Sequence, residues 1–408
     1  HLEPMEKSAT EDFLIRKFRE YYKGTELYLP NEFTHREFGF MFFKGGYVQR
    51  HLGFKTRNEV KRFLLDRAPS HVYYSSAYYE RPGAGTMDEK GWLGADLIFD
   101  LDADHIPRVK GLPFERQLHE IKLELMSLVD DFLLDDFGFA EDDLLITFSG
   151  GRGYHVHVRS PRVRSLTGPE RREIVDFIQG TGLEAESAFR KRAIDKTHYG
   201  SIFTLEMPKH DDGGWSTRVH KGLMDFVGLL EKMPKEEALE RLGEFEGIGE
   251  KTAGEIYSSL FEGEAGVRGV DRLRDVRFDF FPKDSYRNHL VKVAIRHTLG
   301  TYRREIDEPV TADIKRLIRL PTSLHGKSGM RVIILQRGEV DDFVPLRDAF
   351  PEAFGSDPVK VVLEQDVSLD LKDEKINLHE GITDVPEFAA VFLMCRGLAK
   401  LSENEERK

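Results

Sequence analysis

The chain has 408 residues, 40% of them hydrophobic and 11% aromatic, which is enough to fill a sizeable globular core. A single cysteine, Cys395, excludes an intrachain disulfide and a cysteine-rich metal cluster, and no apolar run reaches the roughly 18 residues of a membrane span. The net charge of −12 excludes wholesale electrostatic capture of nucleic acid, so any basic residues that handle phosphates must be locally concentrated. No charged-then-apolar signal segment opens the chain, so it is expected in the cytoplasm; HLEP, residues 1–4 before Met5, reads as a tag remnant.

Residues 9–23 carry Phe13, Leu14, Phe18, Tyr21 and Tyr22 at helical spacing, which predicts an amphipathic helix. Short β-rich segments follow at 35–43, 45–54 and 71–83, with a charged helix over 56–67. LGADLIFDLDAD is the next predicted strand, and 113–137 show a long 3.6-residue period that predicts one helix. LLITFSGGRGYHVHVRS, 144–160, reads as strand, glycine-rich turn and strand. At Thr167 and Glu170 a capping-box pair opens a helix ending near Gly180. Helical patterns continue to about 275, so 165–275 are expected to form a mainly helical insertion between two parts, 5–164 and 276–408, of one core. RFDFFPKD resumes strand-like character, followed by a basic helix over 285–304, a second helix over 310–319, the loop PTSLHGKSG, further strands near 358–371 and a closing helix.

Three stretches carry chemistry. In DLIFDLDADHIP, strand alternation puts Asp96, Asp100, Asp102 and Asp104 on one side and Leu97, Phe99, Leu101 and Ala103 on the other. Like carboxylates two residues apart repel, and a hard divalent cation such as Mg²⁺ relieves that repulsion with oxygen ligands. Asp100 and Asp102 are the metal candidates, whereas Asp96 and Asp104 read as flanking solvated charges; a solvated acidic edge strand is the competing account.

FSGGRGYHVHV, 148–158, offers a turn whose backbone amides can cradle phosphate oxygens, with Arg152 as a bidentate fork and His155 and His157 on one face of the exiting strand. No G-K-[ST] follows, so it is not a Walker A loop. A plain hairpin, or a transition-metal site at the H-x-H pair, would read the same way. The third stretch, DEPVTADIKRLIRLPTSLHGKSG, places Asp307 before a helix bearing Lys315, Arg316 and Arg319, then His325 and Lys327 in a loop. It is the local basic patch that the acidic total conceals, although a basic helix is more often a solvated face.

Taken in order and at these separations, FDLDAD, SGGRGYHVHV and DEPVTADIKRLIRLPTSLHGKSG resemble the catalytic small subunit of archaeal and eukaryotic DNA primases. HREFGF, YYERP and VPEFAAVFLMCRGLA extend the resemblance over most of the chain from Met5. It implies an α+β fold, a mixed-sheet primase catalytic core with a mainly helical inserted subdomain. Asp100, Asp102 and Asp307 are then the carboxylates for Mg²⁺ or Mn²⁺ in a two-metal nucleotidyl transfer. Ser149, Arg152 and His155 match positions that hold the nucleotide triphosphate, and Arg50, Arg316, Arg319 and His325 match further nucleotide-contacting positions. The implied partners are single-stranded DNA template, nucleoside triphosphates and a large subunit carrying an iron–sulfur cluster, with no membrane.

One departure stands out. Most of that family carry a zinc site of cysteines and histidines between the aspartate strand and the glycine turn. Here residues 105–143 contain no cysteine and only His105 and His119, so no structural zinc is expected and the 113–137 helix should cover that region. FEGIGEKTAGEI, 245–256, resembles a helix-hairpin-helix with Gly247, Gly249 and Lys251 as candidate DNA-phosphate contacts, the alternative being an ordinary turn between helices. A primase-polymerase of the same superfamily that extends existing ends, a metal-dependent phosphodiesterase using the aspartates with His155 and His157, and a non-catalytic nucleic-acid-binding subunit are the competing functions.

Overall fold

The N-terminal amphipathic segment folds as helix α1 (Glu3–Gly24), which buries Phe13, Leu14, Phe18, Tyr21 and Tyr22 along one face. The computed structural model describes residues 3–197, 200–263 and 267–402, which divide into two compact units. The first comprises 3–130, 138–175 and 305–402; the second comprises the described residues of 131–137 and 176–304.

Two four-stranded sheets position the chemistry of the first unit. One has the order β11–β3–β1–β2, from β1 (Phe38–Met41), β2 (Gln49–Leu52), β3 (His71–Ser75) and β11 (Leu317–Arg319). The other has the order β12–β7–β8–β6, from β6 (Leu97–Asp102), β7 (Leu144–Phe148), β8 (Gly153–Val158) and β12 (Ile333–Leu335). The buried Tyr74 hydroxyl of β3 lies 3.0 Å from His157 Nδ1 of β8, a polar contact between the sheets. Every strand pair among the described residues is antiparallel, in place of the expected mixed sheet. Local hairpins such as β7–β8 need only a short turn, whereas parallel neighbours need a long crossover.

Helix α2 (Arg57–Arg67) begins at a capping box between Thr56 and Glu59 and ends on Ala68 in the left-handed region. Strands β4 (Ala77–Tyr79) and β5 (Trp92–Ala95) pair as a small ribbon. Helix α3 (Phe114–Ser127) packs on β6 and β8. The single helix expected over 113–137 is not regular throughout: from Leu128 to Asp136 it widens to a π-helix, with the Phe137 N–H reaching back to the Phe132 carbonyl. Toward the C-terminus, β13 (Pro358–Leu363) is the centre of a three-stranded sheet with β16 (Gly381–Pro386) and β17 (Ala399–Leu401), and β14 (Val367–Leu371) pairs with β15 (Glu374–Leu378). The short helix α12 (Pro345–Asp348) touches β14, and the apolar helix α13 (Glu387–Cys395) packs on β13, β16, β17 and α1.

Helix α4 (Gly168–Gln179) starts as predicted, with the Thr167 N–H and hydroxyl both donating to Glu170. The second unit holds α5 (Ala185–Ala188), α6 (Gly214–Lys232), α7 (Lys235–Gly243), α8 (Glu250–Phe261), α9 (Gly269–Arg274) and α10 (Asp284–Tyr302). It also contains an antiparallel hairpin of β9 (Arg190–Thr197) and β10 (Gly200–Glu206), which the helical reading of this region lacked. Its core joins Val219, Leu223, Phe226 and Leu230 of α6 to Leu290, Val291 and Ala294 of α10. Residues 277–282, read as strand-like, form no strand; Phe278 is buried in this core.

In the first unit, the helix expected over 310–319 is absent. Helix α11 (Glu308–Ala312) is one short turn after Asp307, and Leu317–Arg319 pair with Ser75, Tyr74 and Tyr73 as strand β11. The ladder offered by β3 outweighs a helical pattern too short to nucleate by itself.

Candidate active site

Strand β6 buries Leu97, Ile98, Phe99 and Leu101 and leaves Asp100 and Asp102 partly exposed on one face. Asp96 departs from its expected role as a solvated charge. It is 3% exposed and paired with Arg36 at 2.8 Å, and it accepts a further hydrogen bond from Tyr78 at 2.9 Å. Arg36 also donates to the carbonyls of Ser75 and Ser76, so the buried pair is fully hydrogen-bonded. Asp104 leaves the strand in a 3₁₀ turn, stays exposed and pairs closely with Arg152.

Asp100 faces His155 in the β6–β8 ladder, with its carboxylate 3.6 Å from His155 Nε2. The approach of these strands is set by Gly153, where a Cβ would lie 2.2 Å from the Leu101 carbonyl oxygen. Asp307 caps α11, and its backbone N–H donates to the Asp100 carbonyl at 3.2 Å, which brings the third carboxylate to the strand over two hundred residues away in sequence. Burial, then Asp102 and Asp307, push the Asp100 carboxyl up to about 7. Asp102 accepts from the Asp104 N–H at 3.0 Å, and Asp307 lies 3.3 Å from His105 Nδ1.

One cavity of about 630 Å³ is lined by Asp100, Asp102, Asp104, Ser149, Gly151, Arg152 and His155, together with Arg319, His325, Lys327, Ser328 and the end of α13 at Met394–Gly397. Ser149 closes β7 and accepts from the Gly151 N–H at 3.2 Å, holding the turn in shape. Gly150 has φ +75°, and a Cβ there would meet His325 Cβ at 2.8 Å, so the turn and the 324–328 loop are closely packed. Burial, with Arg319 and Arg316 nearby, pushes His155 down to about 3, and burial with Arg319 and His71 depresses His325 well below the usual histidine range. Both rings are therefore neutral, and Arg152, Arg319, Lys327 and Arg396 are the cations that line the cavity.

The structure thus brings Asp100, Asp102, Ser149, Arg152, His155, Arg319 and His325 to one cavity, with Asp307 tied to the Asp100 backbone outside its lining. Arg316 precedes β11 and acts on Asp100 and His155 through its charge, without lining the cavity. Arg50 is not among the residues that line the cavity. It lies on β2, the sheet edge opposite β11, in an ion pair with the buried Glu37 at 3.0 Å. Gly247 (φ +84°), Gly249 and Lys251 lie at the start of α8 in the other unit. Among the residues that escaped the sequence reading are Arg396, which lines the cavity, and His71, which supports Arg319 from behind. His71 shares a strand face with Tyr73 and Ser75, a weak signal; Arg396, whose guanidinium stacks on Phe114 and Phe392, ends the apolar helix α13 just before a glycine.

The model of the DNA primase small subunit family matches residues 99–336, more than half of the chain and the whole of this site apart from α13 and β3. The chain belongs to the DNA primase small subunit family. It is 41% identical over 397 residues to the DNA primase small subunit PriS of Methanococcoides burtonii, covering 96% of this chain and 98% of that protein. It is 41% identical over 400 residues to PriS of Methanothrix thermoacetophila, covering 97% and 100%, and 40% identical over 405 residues to PriS of Halorubrum lacusprofundi, covering 96% and 98%. As the catalytic small subunit of a DNA primase it is a nucleotidyltransferase of DNA replication.

Primase membership implies use of a divalent metal, and the donor set can be tested against it. Asp102 and Asp307 stand near enough to push the Asp100 carboxyl up, and that accumulated negative charge on hard oxygen donors is what a cation would relieve. The residues fit. Among the described residues no three His, Cys, Asp or Glu side chains already converge on one point; Asp102 accepts from the Asp104 N–H and Asp307 lies beside His105. No helix of the described residues is long and apolar enough to cross a membrane.

Proposed function

We propose that the chain synthesises short RNA primers de novo on single-stranded DNA, with DNA as an alternative product, by nucleotidyl transfer that releases pyrophosphate. The observation that carries this reading is the meeting, in one cavity, of the Asp100–Asp102 strand end with the Ser149–His155 turn and the Arg319–His325 segment. A carboxylate ledge beside a cluster of cations is what a metal-bound triphosphate requires on its two sides. Mg²⁺ or Mn²⁺ would be held by Asp100, Asp102 and Asp307, and when bound it supplies positive charge to the reacting phosphate and to the leaving pyrophosphate.

The chain's own residues have distinct tasks. Arg152 and Arg319 bind the triphosphate oxygens as forks, Lys327 adds a point charge, and the amides of the glycine turn orient the phosphates. Neutral His155 and His325 donate single hydrogen bonds. The 3′-hydroxyl of the first nucleotide attacks the α-phosphorus of the second; the new P–O bond forms as the bond to the β-phosphate oxygen breaks, pyrophosphate leaves and the hydroxyl proton passes to solvent. The first structural unit is the catalytic core and the second the helical insertion, with Gly247, Gly249 and Lys251 of the insertion as candidate DNA-phosphate contacts. A large subunit is the proposed partner, in keeping with the small-subunit name of the relatives.

The test is dinucleotide formation from two nucleoside triphosphates on an unprimed single-stranded template. Asp102→Asn should abolish it without lowering the melting temperature. Extension of a pre-annealed end alone would indicate a primase-polymerase, and phosphodiester cleavage without incorporation a phosphodiesterase.

A further inference from the structure

His71 opens β3 and is buried, yet nothing in the reaction as described uses it. Its Nδ1 lies between two donors, Arg319 Nη1 at 2.6 Å and the backbone N–H of Gly326 at 3.1 Å. A guanidinium has no acceptor and keeps its proton, and a backbone N–H can only donate, so His71 Nδ1 holds the lone pair and the ring proton resides on Nε2. Burial, with Arg319 and Lys327 close by, pushes this ring down to about 2, which keeps it a neutral acceptor.

The same ring supports the loop that follows. His325 meets His71 edge to face at 4.9 Å, and a Cβ at Gly326 would come within 2.8 Å of Ser70 and 3.0 Å of His71 Nε2. His325 Nδ1 in turn accepts from the Lys327 N–H at 3.2 Å, so its Nε2 carries the proton, beside Gly151 of the phosphate-binding turn. Arg319 is further confined by stacking over Tyr73 at 5.2 Å. Its guanidinium is thus aimed before any ligand arrives, which removes the cost of ordering a long side chain from the binding step.

We propose that His71 is a positioning residue: by accepting from Arg319 and Gly326 together, it sets Arg319 and the His325–Lys327 loop as one rigid grip on the incoming triphosphate. The proposal rests on the reading of the cavity as the triphosphate site, and its test separates the two.

In the full chain with ¹⁵N-labelled histidine, the His71 resonances should be those of a neutral ring protonated on Nε2 and hydrogen-bonded at Nδ1, and Arg319 should give a sharp Nε–Hε signal. In His71→Leu that arginine signal should broaden, and affinity for GTP with Mg²⁺ should fall on the order of tenfold. His71→Asn, whose side-chain oxygen can replace Nδ1 as acceptor, should recover most of the affinity. Adding His71→Leu to Arg319→Ala should cost little beyond Arg319→Ala alone. A wild-type ring protonated on Nδ1, an unchanged Arg319 signal in His71→Leu, or full additivity of the two substitutions would overturn the proposal. If Arg319 loses order in His71→Leu while neither variant alters GTP affinity, the positioning stands and the triphosphate reading falls.

Discussion

Asp100→Asn removes a charge that the fold disfavours in the absence of metal. Its carboxyl ionises near 3.8 in an unfolded chain and is pushed to about 7 here by burial, Asp102 and Asp307. An elevated folded-state value for an aspartate means that the ionised form opposes folding, fully above the folded value and not at all below the unfolded one. At about 1.4 kcal/mol per decade, the penalty is about 4 kcal/mol at pH 8 and falls below about 2 kcal/mol at pH 5. The side chain retains 19% exposure, so water screens part of this and about 2–4 kcal/mol is expected at pH 8. Thermal unfolding with EDTA is the assay. Asp100→Asn should melt several degrees above wild type at pH 8, and the difference should shrink as the pH falls to 5. Mn²⁺ should raise the melting temperature of wild type more than that of the variant. An equal or lower melting temperature for Asp100→Asn at pH 8, or a difference that ignores pH, would refute the reasoning.

Other substitutions separate scaffold from chemistry. Asp96→Ala strands the buried Arg36 guanidinium and should cost about 3–5 kcal/mol in urea denaturation; a loss under about 1 kcal/mol would contradict a buried pair. Gly153→Ala drives a Cβ to 2.2 Å from the Leu101 carbonyl oxygen, so it should lower stability by several kcal/mol, about 3 or more, and disrupt the β6–β8 register seen by amide exchange. Arg396→Ala removes a partly exposed cation from the cavity rim and should raise the nucleotide KM about fivefold with kcat little changed. An unaltered KM would remove Arg396 from the phosphate-binding set.

The alternation of DLIFDLDAD was enough to place Asp100 and Asp102 on one face, because a strand's two-residue period is local. The fate of Asp96 was not legible, since its burial depends on Arg36 sixty residues earlier and on Tyr78, and a lone carboxylate in sequence carries no sign of such partners. Likewise the segment bearing Arg319 scans as a basic helix, and only the ladder with Tyr73–Ser75 turns it into a strand whose arginine reaches the cavity. Ser149, Arg152 and His155 were readable because the glycine turn and the strand after it are contiguous. His71 was not, because its role arises from donors 248 and 255 residues away. Arg50, matched by the resemblance to a nucleotide-contacting position, stands on the edge strand of its sheet in an ion pair with Glu37, a partner that no local pattern around it announces. The helical periodicity of the insertion was plain, but a single hairpin of mixed polar and apolar residues inside it left no comparable period.

The most direct test of the central claim is whether the chain, alone and with its large subunit, joins two free ribonucleoside triphosphates on unprimed single-stranded DNA. Dinucleotide and pyrophosphate should appear in equal amounts with Mg²⁺ or Mn²⁺, and neither should form with Asp100→Asn or Asp102→Asn of wild-type stability or better. Primer synthesis that survives either substitution, or a wild-type chain that extends annealed ends but never starts one, would contradict the account.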